Sequence, residues 1–318
     1  MSKSDGFFSY LTSQQTAQVY LQSCYEKINE QDVESKSYQN YHALLYYLDH
    51  GRKFYEIGDK VDLFAKPVLY FYGLTHLIKA CLLTRRPYYP ETTVLLSHGV
   101  TSRKRKKRNY TFLTDEVKVQ VNGLFPYFSK HLYSINPVPF EKIPMVDLFS
   151  LIPEIQTFFS FQGTEKMVVV GTVESKVLQF PTTILDHFHV TKDSFLKRIK
   201  PYISKVKHVE ELKSVMNVQL DKKIESFNGP FYKHMGDHRI FFPLSREHFL
   251  PISDVMIHYL LLYNLSMLCR YEAEWWGDLL SSKPEIDYPF IVQFLDITAK
   301  KIPKILEDEL YNLIKEEH

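Results

Sequence analysis

Glycine is scarce in this chain, 11 of 318 residues, and none of it forms a phosphate-cradling loop or a Gly-x-Ser-x-Gly nucleophile elbow. His-Glu-x-x-His and Cys-x-x-Cys are also missing. Each of those patterns fixes donors, metal ligands or a nucleophile in a set geometry, so their absence weighs against an enzyme. Only three cysteines occur, Cys24, Cys81 and Cys269, far apart and without metal-type spacing. An odd, low count argues against a disulfide scaffold and for a reducing cytoplasm. The opening Met-Ser-Lys-Ser-Asp-Gly lacks the apolar core of a signal peptide. The longest apolar stretch, Val255 to Cys269, is interrupted by His258, Asn264 and Ser266 and is too short to cross a bilayer. A cytoplasmic protein without membrane association is expected. His187 and His189, with His234, Asp237 and His238, match no standard metal spacing, so neither metal nor cofactor is expected.

Aromatic residues, by contrast, are plentiful: 23 Phe and 22 Tyr, beside 2 Trp. They supply a dense core first and stacking surfaces second. The strongest charge block is Arg103-Lys104-Arg105-Lys106-Lys107-Arg108, six consecutive cations in a chain of formal net charge +2. Adjacent like charges repel, so the run is held in solvent or against something anionic. His98-Gly99 precedes it, and glycine there allows positive φ or a close backbone approach to a ligand.

Helical periodicity covers 12–30, 38–56 and 67–83, the last opening on Pro67 and stopped by Arg86-Pro87-Tyr88-Tyr89-Pro90. The middle changes character: β-branched Met167 to Gly171, alternating Lys176 to Phe180, and turn-and-strand patterns over 227–243, with a helix expected at 208–216. His187 and His189 would share one face of a strand. Helices are expected again over 252–276, 285–299 and 302–316. The expected fold is mainly α with a smaller α+β middle lobe: a helical domain with the basic loop over 1–139, the mixed lobe over 140–250, and C-terminal helices over 251–318 packing on the first segment.

On a helix from Pro67 to Leu83, Tyr72, His76 and Lys79 form one narrow stripe, able to grip a phosphate or carboxylate. The plain alternative is a helix edge whose His caps a neighbouring carbonyl. Gly73, in mid-helix, implies close approach of another backbone. Farther on, Tyr259, Tyr263, Ser266, Arg270 and Glu274 share a second stripe. Arg270 needs a partner there, either Glu274 on the same face, or Glu272 reaching from a different side, in an internal ion pair, or an external anion. Candidate ligand-binding residues are therefore Tyr72, His76, Lys79, His98, Gly99, Arg103, Lys104, Arg105, Lys106, Lys107, Arg108 and Arg270.

The runs Tyr70 to Leu83, Ser97 to Lys107, Asn122 to Pro126 and Leu265 to Glu272, the last followed by Trp275, together resemble the YaaC-like family. The resemblance spans nearly the whole chain and implies a cytoplasmic bacterial protein, with no established activity attached. More distantly, Tyr72, His76 and Ala80 followed by His98 to Val100 are similar in order to HEPN helical domains. Many of those cut RNA with an Arg and a His a few residues apart. No such pair occurs here, so that similarity implies binding rather than cleavage. The leading expectation is a non-catalytic binding or regulatory protein for a phosphate-bearing ligand, RNA or a nucleotide. The alternatives are a ribonuclease-like hydrolase with a non-standard site and a module that docks an acidic protein partner.

Overall fold

A computed structural model describes residues 3–102 and 110–315. The basic run, residues 103–108, lies outside the described residues. In chain order the elements are α1 (Lys3–Tyr10), α2 (Gln14–Lys27), α3 (Val33–Lys60), α4 (Lys66–Leu83), β1 (Val100–Ser102), β2 (Glu116–Val119), α5 (Leu124–Tyr133), β3 (Lys142–Pro144), α6 (Met145–Ser150), α7 (Gln156–Phe161), β4 (Met167–Thr172), β5 (Val177–Pro181), α8 (Ile184–Phe188), α9 (Lys192–Ile199), β6 (Val206–Glu211), β7 (Val215–Leu220), β8 (Tyr232–Lys233), β9 (Arg239–Pro243), α10 (Asp254–Tyr271), α11 (Ala273–Ser282) and α12 (Asp287–Lys315). The protein is mainly α with a small α+β region in the middle. Among the described residues, no helix is long and apolar enough to cross a membrane.

The chain divides into two compact units, residues 1–142 with 258–318, and residues 143–257. In the first, Ser13 caps α2 by accepting the Thr16 N–H, and Pro67 sits in the first turn of α4. α3 and α4 form an antiparallel hairpin. Its tight crossing rests on Gly51, Gly58 and Gly73: a Cβ on Gly73 would lie 2.8 Å from the Tyr55 ring and 3.2 Å from the Gly51 carbonyl oxygen. The close backbone approach expected from Gly73 is therefore with α3. Trp276 is fully buried and donates its indole N–H to the Phe64 carbonyl at 3.1 Å.

The second unit holds two three-stranded antiparallel sheets, β4-β9-β8 and β5-β7-β6. Phe180, Phe188, Phe195 and Phe242 interlock at its core, with Phe180 and Phe242 edge-on at 5.2 Å. His248, nearly buried, is hydrogen-bonded to Ser245 Oγ at 2.7 Å through Nδ1 and to Asp147 Oδ1 at 3.2 Å through Nε2. The ring ties the loop after β9 to the first turn of α6. His248→Ala removes both bonds and opens a buried void, so it should lower stability by about 1–3 kcal/mol, read as a drop in the denaturation midpoint of this unit.

Four local expectations are corrected. Residues 208–216 are strand and hairpin, not helix: Val209, Leu212 and Val215 mimic helical spacing, but Leu212 sits half-exposed at the turn. Met216, Val218 and Leu220 alternate inward, with period two. His187 lies in α8 and His189 caps it in the left-handed region, so they share no strand face. Residues 285–299 and 302–316 belong to one helix, α12, which runs through Pro303. The missing N–H and ring clash cost less there than exposing Ile302, Leu306 and Leu310, all at most 1% exposed. Finally, the helix over 252–276 breaks at Glu272, between α10 and α11.

Candidate anion-binding site

The site lies within the first unit, where α4, α10 and the His98 turn meet. α4 presents Tyr72, His76 and Lys79, each partly buried. Across the glycine crossing, α3 presents Tyr47, His50 and Phe54. The Phe54 ring stacks on His76 at 5.7 Å with an 8° interplanar angle, and His50 meets it edge-on at 5.4 Å. Tyr47 lies 6.0 Å from His76, and the Lys79 ammonium is 5.8 Å from the Tyr47 ring.

The turn before β1 brings His98 onto the other edge of this surface. Its ring lies 5.0 Å from Phe71, 5.7 Å from Tyr263 and 6.5 Å from Tyr72. The turn itself is fixed by its backbone: the His98 carbonyl accepts from the Tyr259 hydroxyl at 2.9 Å and from the Phe125 N–H at 3.1 Å. Gly99, at φ +74°, packs directly against Gly123, at φ +117°. The conformational freedom of Gly99 thus serves a glycine-to-glycine contact that sets His98 in place.

Arg270, at the exposed end of α10, reaches the Tyr72 hydroxyl at 3.5 Å and otherwise meets Ser266, the Met267 sulfur and the Tyr271 face. The expected Glu274 ion pair does not form. Glu274 belongs to α11, beyond the break at Glu272, so it is not one turn above Arg270 on a common helix. The stripes of Tyr72 and Arg270 therefore share one surface.

The charge balance of this surface is one-sided. Elsewhere in the unit some cations have carboxylate partners: Arg86 pairs with Glu91 at 2.7 Å, and Arg85 lies 3.6 Å from Glu309. Among the described residues no carboxylate pairs with Lys79 or Arg270. Burial, then Lys79 and His50, pushes His76 down to about 4. Burial, then Arg270 and Lys79, lowers His98, and burial alone lowers Lys79. The His76 Nδ1 atom is buried without a hydrogen-bond partner.

A proton-linkage consequence follows. Because His76 binds its proton less readily when folded, its contribution to stability is complete above its ordinary value of about 6.5 and is lost as pH falls toward about 4. Stability should decline through that window in the wild type, and His76→Gln should flatten the decline in a pH series of denaturation midpoints.

Both flanks of the basic run are anchored in this unit. Val100 to Ser102 pair with Val119 to Val117 on β2. On the far side, Tyr110 donates to Asp115 at 2.8 Å, Asn264 donates to the same carboxylate at 2.9 Å, and Asp287 accepts the N–H groups of Phe112 and Leu113. Tyr47 and His50 are site residues that a search for apolar helix positions passes over, whereas Phe54 is found by it as a core position. Their signal is a ring at i, i+3 and i+7 on the same helix.

The structure defines a class, a mainly helical protein whose α+β segment is inserted between its helical parts. The YaaC-like Protein family model matches residues 9–310, and the chain belongs to that family. No curated protein and no solved structure matches.

Proposed function

We propose that this chain is a non-catalytic cytoplasmic binding or regulatory protein that holds a phosphate-bearing ligand, RNA or a nucleotide. The observation that carries the reading is that Lys79 and Arg270 both act on His98 across one aromatic-walled surface, with no carboxylate paired to either among the described residues. A phosphate-bearing ligand spanning that surface would receive charge-assisted donors from both, and His76 and His98 would supply further polar contacts. The run Arg103 to Arg108, four residues beyond Gly99 in sequence, would add long-range attraction. Cleavage is the less favoured reading, because a base held near 4 accepts protons weakly at neutral pH.

The test is a calorimetric and anisotropy titration of the protein with single-stranded RNA and with a nucleoside triphosphate at low and high salt. Binding should weaken with salt, with a slope for RNA of about −0.7 per neutralised phosphate, and the RNA should remain uncut. Absence of binding to every phosphate ligand would overturn the proposal, and a stable co-purifying acidic protein in its place would identify the basic run as a protein-docking segment.

A further inference from the structure

α3 carries a row of rings at four-residue spacing: Tyr38, His42, Tyr46, His50 and Phe54. Rows at that spacing form an inclined ridge along a helix surface. Tyr38 and Tyr46 are 63% and 60% exposed, and His42 and His50 are also exposed. His42 stacks on Tyr46 with centroids 6.3 Å apart and 19° between planes, and Tyr46 meets His50 at the same separation. His50 then touches His76, where the ridge enters the cationic surface. Four exposed rings in a row on one helix form a contiguous patch of the kind that marks an interaction surface. Beside Tyr46 a cleft of about 460 Å³ is lined by Phe8, Asp49, Arg52 and Lys53. Two acids line that cleft, Asp49 and Glu56, and Asp49 is paired with Lys53 at 2.7 Å.

We infer that the ligand is a single-stranded nucleic acid, with successive bases stacked on His42, Tyr46 and His50 and the backbone led onto Lys79 and Arg270. This rests on the phosphate-binding reading above and narrows it. A mononucleotide needs one ring and one phosphate contact. A continuous ridge ending at unpaired cations offers several stacking positions in register with a path for phosphates, which is how sequence-tolerant single-strand binders work.

The experiment is a calorimetric comparison of oligoadenylate of about eight nucleotides, within the usual site size for such surfaces, and adenosine monophosphate. Wild type is set against His42→Ala/Tyr46→Ala, and Tyr46→Phe serves as the conservative control. Both altered positions are exposed, and an unchanged thermal transition would confirm folding. The oligonucleotide should bind wild type more tightly than the mononucleotide, and the double variant should lose about tenfold or more on the oligonucleotide alone. Tyr46→Phe should keep wild-type affinity. Undiminished oligonucleotide binding by the double variant would overturn the ridge while leaving the phosphate site standing. Failure of wild type to bind either ligand would remove both. Conversion of a wild-type dimer to monomer by the double variant, with RNA affinity unchanged, would reassign the ridge to self-association.

Discussion

Gly123→Ala is expected to cost about 4 kcal/mol and to dislodge His98. At φ +117° an alanine is strained whatever the space around it, a penalty of about 1–3 kcal/mol. Space is also absent: the added Cβ would fall 2.5 Å from both the Cα and the N of Gly99 and 2.7 Å from Ser97 Oγ. Two of those atoms are backbone, and they cannot rotate aside as a side chain would, so overpacking adds about 1–3 kcal/mol. The turn that yields is the one whose carbonyl accepts from Tyr259 and Phe125, so the His98 ring should leave its place beside Phe71 and Tyr263. Gly277→Ala is the matched control. It lies inside α11 with nothing within 4 Å of the added methyl, and it should be neutral or stabilising by up to about 1 kcal/mol. Chemical denaturation of the two variants, with the His98 resonance followed in parallel, separates them.

The second large effect concerns binding. Lys79→Ala combined with Arg270→Ala should weaken RNA or nucleotide affinity by about 10- to 100-fold, as expected for two charge-assisted contacts. It should also reduce the salt slope for RNA by about 1.4, the equivalent of two phosphate contacts on a single strand. Stability should change little, because neither cation is part of an ion pair among the described residues and Lys79 is relieved of a desolvated charge. A fall in affinity that leaves the salt slope untouched would mean that the two residues act through packing. Titration at several salt concentrations tells these apart.

Much of this site is legible in the residues themselves. Tyr72, His76 and Lys79 fall on one stripe because a regular helix fixes their angles, and α4 is regular from Lys66 to Leu83. Gly73 signals its helix crossing because a mid-helix glycine is expensive without one. The same angular argument puts Arg270 on one stripe of α10 with Tyr263 and Ser266, but whether that stripe faces Tyr72, and which residue partners Arg270, is not legible in the sequence. Extrapolating one helix through Glu274 ignores a break that nothing in local propensity marks, since Glu272 and Ala273 are both good helix formers. The 208–216 segment fails for a different reason. Three apolar residues at spacings of three fit a helix and a hairpin equally well, and only pairing of Val218 with Leu178 and Val209 decides between them. Pro303 shows tertiary burial overriding a local breaker. The α3 rings were in view as residues, but their meaning depends on which helix lies across the crossing, and that is long-range information.

The most direct test of the account is an NMR titration of the imidazole rings of His76 and His98 with and without a saturating RNA oligonucleotide. Free, His76 should titrate near 4 and His98 below its ordinary value, because burial and the neighbouring cations oppose protonation. A phosphate seated between Lys79 and Arg270 offsets those cations, so both midpoints should move up together, and affinity should rise as pH falls from 7 to 5. Tight binding that leaves both midpoints where they were would place the ligand elsewhere and contradict the site.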